Sequence, residues 1–247
     1  MNRRQFCRSA VAASIAAAYP AALLAEEAQS SVAAVTLDGK KIELSRAAVR
    51  DFGARLSGPV LLAGDNGYES ARHIWNGMHD KHPALIAQCT SSDDVRHAVE
   101  FAGANSLLTA VRGGGHSWPG KSVCDGGLMI DLSRMNQVKV DAKAQRAMVG
   151  GGALLNGLDT AALEHGLATT AGVVSHTGVG GYTLGGGFGR LNRKYGLAID
   201  NLLSATIVTA DGKIRRIDAS TEPDLFWAIR GGGGNFGVVT GFEFQLH

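Results

Sequence analysis

With 247 residues, 45% of them hydrophobic and 19% charged, the chain has material for one large or two small soluble domains with a sizeable core. Its formal charge of +2 leaves no nucleic-acid footprint. Its three cysteines make neither a disulfide framework nor a metal-ligand spacing. The unusual number is 34 glycines, about double the ordinary share of ~7%. They cluster in loops, where glycine lets backbone approach a ligand closely.

The chain opens Met1-Asn2-Arg3-Arg4-Gln5-Phe6-Cys7-Arg8, a twin arginine followed by Phe that resembles a Tat export signal. Residues 9–24 are Ala-rich and mildly apolar, shorter than the ~20 residues of a membrane span. Ala25 before Glu26-Glu27 is a plausible cleavage point. Residues 1–25 are therefore expected to be a signal peptide, and the protein to be exported, periplasmic or secreted, with no membrane span. The twin-arginine route is understood to carry folded proteins, which raises the expectation of a bound cofactor without naming it. Loss of Arg3, Arg4 and Arg8 takes the balance of 24 basic and 22 acidic residues to near −1.

Residues 26–57 read as a weakly ordered lead-in with short helical tendency. The apolar run 84–89 predicts a strand. Residues 91–105 follow as a helix, with Ser91 and Asp94 at capping-box spacing. Strands are predicted at 107–111 and 128–132, and a hairpin at 137–140 and 146–149. A helix over 154–165 is closed by Gly166. Residues 178–189 read as glycine-rich loop. Strands 205–209 and 213–217 pair across Ala210-Asp211-Gly212. Ser220 or Thr221 caps a helix with Pro223 in its first turn, and 238–246 is the last strand. Strands and helices mix without regular βαβ repetition, so the fold class is α+β, in two subdomains with a break near residue 150. Cys89 and Cys124 are expected as two buried thiols rather than a bridge.

Three glycine loops carry the chemistry. The first, Arg112-Gly113-Gly114-Gly115-His116-Ser117, follows a strand and can wrap a pyrophosphate. The second holds Gly178, Gly180, Gly181, Tyr182, Gly185, Gly186 and Gly187, where side chains would block a flat ring or a phosphate. The third, Gly231-Gly232-Gly233-Gly234-Asn235-Phe236-Gly237, contains a literal G-x-G-x-x-G. It follows a helix and leads into a strand, the reverse of the Rossmann order, so an NAD fingerprint is rejected. Three such loops in one domain favour a ligand over tight turns alone.

These loops, with residues 68–77, 131–135, 208–212 and 224–237, resemble the berberine bridge enzyme-like flavoproteins of the vanillyl-alcohol oxidase superfamily. The agreement runs from about Gly58 to Leu246. It implies a PCMH-type FAD-binding domain over 58–247, made of two α+β subdomains. In that family the His of the first loop is bonded to the 8α-methyl of FAD, which carries over to His116; a loop histidine hydrogen-bonding a phosphate is the alternative. Many relatives add a second bond from a Cys in C-P-x-V-G-x-G-G. Val174 stands at that place here, so the resemblance implies FAD held covalently through His116 only. Tyr182 takes the position where relatives often carry His. Its phenol would donate to the reduced flavin and is the candidate catalytic residue, with a packed core tyrosine as the alternative. His176 is read as a solvent-facing loop residue in preference to a base. Thr177 falls where relatives place a residue thought to control oxygen access. Trp75, Trp227 and Phe236 are read as core anchors. Cofactor-binding residues are expected to be Arg112, Gly113, Gly114, Gly115, His116, Ser117, Gly178, Gly180, Gly181, Gly185, Gly186, Gly187, Gly237 and Val239, with no metal.

The resemblance implies an FAD-dependent oxidoreductase, oxidase or dehydrogenase. It would take a hydride from a small-molecule electron donor (an alcohol, sugar or similar C–H donor) and pass electrons to oxygen or another acceptor. The family's substrate-binding domain is absent from the sequence, so the alternative is a non-enzymatic flavin-binding remnant, or one subunit of a split enzyme whose separate partner chain supplies that domain.

Overall fold

A strand buried on both faces cannot alternate apolar and polar residues, and neither Leu85–Gln88 nor Leu128–Asp131 does. They are β4 and β6 in the computed structural model, which describes residues 31–247. The expected signal peptide and the first residues of the lead-in lie outside the described residues. Together with β3 (Val60–Leu61) and β5 (Thr109–Arg112), they form a four-stranded sheet in the order β3-β4-β6-β5. β4, β6 and β5 run parallel, and β3 is antiparallel to β4. Period-two geometry sends Leu85, Ala87, Leu128 and Ile130 to one core, and Ile86 and Met129 to another beneath Tyr68, Ala71 and Ile74.

A parallel pair needs a crossover, and helix α3 (Ser92–Ala104) supplies the one from β4 to β5. The Ser91 hydroxyl caps it by accepting the Asp94 N–H at 3.1 Å. The reciprocal half of the box is not made. Asp94 instead accepts from the N–H groups of Ser57 and Thr90, both at 2.8 Å, and from the Thr90 hydroxyl.

From Ser31 onward the lead-in is ordered, contrary to expectation. β1 (Ser31–Val35) and β2 (Lys41–Ser45) form an antiparallel hairpin, followed by helix α1 (Arg46–Ala54). Ala34, Leu44, Val49 and Phe52 bury against the first core, and Phe52 stacks on Phe101 of α3 at 4.3 Å. A short helix α2 (Tyr68–Arg72) follows β3.

The second sheet has the order β10-β9-β11-β8-β7, with every pairing antiparallel. Its strands are β7 (Val138–Asp141), β8 (Arg146–Gly150), β9 (Leu202–Val208), β10 (Ile214–Asp218) and β11 (Val238–Gln245). Helices α4 (Leu155–Leu163), α5 (Val179–Leu184), the single turn α6 (Asn192–Tyr195) and α7 (Pro223–Gly232) belong to this half. The first sheet ends at Asp131 and the second begins at Val138, so the division falls before the expected residue 150.

Two local expectations are corrected. α5 lies inside the stretch read as loop. The N-cap of α7 is Glu222 at φ 53°, with no side-chain cap bond. Ser220 and Thr221 instead donate their N–H groups to the Asp218 carboxylate, both at 2.8 Å. Cys89 and Cys124 are free, buried thiols; burial raises both, Cys124 to about 11. Among the described residues no helix is long and apolar enough to cross a membrane.

Candidate flavin site

Where the two halves meet, a cavity of about 1020 Å³ opens. The first half contributes β5, the loop 113–117 that leaves its C-terminal end, and residues 121–125. The second contributes α5 and the segments 232–235 and 237–239. Loops at the carboxyl ends of parallel strands are where α/β sheets commonly bind ligands.

Glycine is required where these loops touch. A Cβ on Gly114 would fall within contact distance of the Gly178 backbone, and one on Gly178 would strike Gly114. A Cβ on Gly113 would lie 3.2 Å from the Gly151 carbonyl. Gly115 adopts φ 67°, which favours glycine.

Of the residues predicted for the site, Gly113, Gly114, Gly115, His116, Ser117, Gly178, Gly180, Gly181, Tyr182, Gly185, Gly237 and Val239 line the cavity. Three do not. The Arg112 guanidinium turns back to donate to the Ala71 carbonyl and packs beneath Gly115, so it braces the loop. Gly186 is off the wall. Gly187 lies behind Tyr182: a Cβ there would come 2.8 Å from the ring, and one on Gly172 would come 3.0 Å from its other edge. These two glycines leave a slot that the phenol ring fills.

Sequence reasoning missed Lys81, Ser122, Val123 and Cys124, and the β5 residues Thr109, Ala110 and Val111, all on the wall. The β5 residues look like ordinary strand residues, and nothing in the local pattern marks Lys81 or Ser122. Thr177 lines the cavity. Trp75, Trp227 and Phe236 are not core anchors: they are 51%, 73% and 39% exposed. Trp75 stacks on the His116 imidazole. His176 is exposed, as expected, yet its ring also lies beside His116.

The unsatisfied chemistry points inward. A buried polar atom without a partner costs about 1–3 kcal/mol. Among the described residues, His116 Nε2, Tyr182 Oη and Ser122 Oγ are such atoms, and all three residues line the cavity. Burial, then the Asp159 carboxylate, pushes the Tyr182 phenol up to about 12. It therefore keeps its proton at neutral pH and is available to donate. A Cβ on Gly181 would meet no protein atom within 4 Å, so the space in front of it is free for a ligand. Glycine walls, orphaned donors and an imidazole at one side fit a flavin nucleotide.

The FAD binding domain family matches residues 83–218, and the chain belongs to that family. Its relatives are FAD-linked oxidoreductases and berberine bridge enzyme-like oxidases. The (R)-6-hydroxynicotine oxidase of Paenarthrobacter nicotinovorans is 43% identical over 192 residues, covering 78% of this chain and 42% of that protein. Berberine bridge enzyme-like 1 of Physcomitrella patens superposes with a TM-score of 0.77 at 32% identity, over 81% of this chain and 44% of that one. Glucooligosaccharide oxidase of Acremonium strictum, described with a 6-S-cysteinyl, 8α-N1-histidyl FAD, superposes at 0.74 and 35% identity, over 81% and 42%. The chain thus spans about two fifths of the length of these relatives.

Proposed function

We propose that this chain is the flavin-holding module of an oxidoreductase in which His116 carries FAD covalently. Within that enzyme a hydride comes from an alcohol, sugar or similar C–H donor, and the electrons leave to oxygen or another acceptor. The observation that carries the reading is the buried, unpartnered Nε2 of His116 beside a glycine-walled cavity. A relative with a histidyl flavin supports it.

Bound FAD supplies a two-electron acceptor, and the chain supplies its setting. Glycines 113–115, 178, 180 and 181 would hold the cofactor by close backbone approach. Tyr182, locked in its slot with its proton retained, would donate to negative charge developing on the reduced ring system. Val174 occupies the place of the second linking cysteine, so one covalent link is proposed. The twin-arginine start fits a cofactor bound before export.

Anaerobic titration of the FAD-loaded full chain with alcohols, sugars and oligosaccharides tests the reading. Loss of the yellow absorbance on addition of a donor, with turnover once an artificial acceptor is present, is expected. FAD that stays oxidised with every donor would favour a flavin-binding module that does not turn over by itself.

A further inference from the structure

Trp75 stands where the core does not need it. Its indole is 51% exposed, one residue after the buried Ile74. A half-exposed indole forgoes much of the burial that favours tryptophan in a core. It lies parallel to the His116 imidazole instead, with ring centroids 4.5 Å apart and planes 13° apart.

The backbone explains how that stack is held. The Trp75 N–H donates to the Gly115 carbonyl at 2.9 Å. Asn76 Nδ2 donates to the Trp118 carbonyl at 2.9 Å, and His79 Nε2 lies 3.0 Å from the same oxygen. These contacts bracket His116 in sequence, so indole and imidazole ride on one stapled pair of segments. The His176 ring lies 4.9 Å from His116 and 6.4 Å from Trp75. Trp75 therefore covers the imidazole face while His176 stands to its side.

We propose that Trp75 is the positioning residue for flavin attachment: its indole fixes the plane of the His116 imidazole so that a ring nitrogen is presented to the flavin 8α-methyl. The proposal rests on the reading of His116 as the attachment residue. Attachment replaces one C–H of that methyl and the imidazole N–H by a C–N bond. Two protons and two electrons pass to dioxygen, which leaves as hydrogen peroxide. Trp75 takes part in none of these bond changes. It acts on rotation about the second side-chain torsion of His116, which is broad and two-fold for histidine. Its exposure means that truncating it leaves the core and the glycine walls in place.

The test follows covalent incorporation in full-length protein made without flavin and mixed with FAD in air, by intact mass after acid quenching. Gel filtration under native conditions reports total bound FAD alongside. Trp75→Leu is expected to attach FAD roughly ten- to hundredfold more slowly than wild type, the range expected when a reacting group is slightly misplaced. It should still retain FAD reversibly. Trp75→Phe, which restores a flat ring, is expected to recover most of the rate. A Trp75→Leu protein that attaches FAD at the wild-type rate overturns the proposal, as does a Trp75→Phe protein as slow as Trp75→Leu. Wild-type protein that binds FAD only reversibly overturns the attachment reading, and this role with it.

Discussion

The two halves of the molecule solve the same burial problem in opposite ways. In the first, parallel strands are covered on both faces, and each parallel strand must release its chain at the carboxyl end into a crossover or loop. In the second, antiparallel strands follow one another through the hairpins β7–β8 and β9–β10, and alternation appears, as in β7. The consequence is a division of labour. The His116 imidazole comes from a loop at the end of β5, and the Tyr182 phenol comes from a short helix of the other half. A polar contact crosses the seam: the Ser92 hydroxyl of α3 and the Thr240 hydroxyl of β11 lie 2.8 Å apart. The site is a property of the seam and of neither half alone.

The largest effect should come from filling that seam. Gly178→Ala places a methyl against the Gly114 backbone, which has no flexible side chain to yield. We expect a loss of about 3 kcal/mol of stability, at the upper end for overpacking, together with loss of FAD retention. Gly181→Ala sharpens the comparison. Its methyl meets no protein atom, and alanine in a helix is favoured over glycine by up to about 1 kcal/mol. Melting temperature should hold or rise while FAD retention falls. Equal melting temperatures for the two variants would contradict the assignment of Gly178 to the seam.

A smaller effect separates the halves by pH. Each has a buried carboxylate held low by its hydrogen bonds, Asp94 in the first half and Glu243 in the second. Burial alone would raise Asp94, but the bonds from Ser57 and Thr90 outweigh it and hold the group low. In Glu243 the bond from the Ser204 hydroxyl leads, opposed by burial and assisted by Arg146 and Arg216. Both groups titrate lower folded than unfolded. Their stabilisation is therefore complete above the ordinary carboxylate range near ~4 and is lost as pH falls through the folded values. Asp94→Asn and Glu243→Gln should each lower stability at neutral pH by about 1–2 kcal/mol. Each should also flatten the decline of melting temperature on acidification. A variant with the wild-type slope would show that its carboxylate is not coupled to folding.

The legible parts of the molecule were those written in local pattern. Apolar runs marked β4 and β6, the Ser91 cap marked α3, and Asp211-Gly212 marked the β9–β10 turn, where Gly212 sits at φ 73°. The strand before His116 was legible for the same reason, and with it the glycine loop 113–117 that lines the cavity. The β1–β2 hairpin was not, because its buried residues are largely small or few and its partners lie across the first core. Helix α5 was hidden by two glycines in six residues, each costing about 1 kcal/mol against alanine. One of them is there for packing: a Cβ on Gly180 would come 3.0 Å from the Gly151 carbonyl. Trp75 was misread because composition says that an indole is apolar, while only the fold says which ring it faces.

The most direct measurement is intact mass and absorbance of the acid-precipitated protein, wild type beside His116→Ala, each expressed with ample flavin. The account predicts a yellow wild-type pellet heavier by one FAD, and a colourless His116→Ala pellet at the apo mass. A wild-type pellet without flavin, or a His116→Ala pellet that keeps it, would contradict the assignment of His116 as the attachment residue.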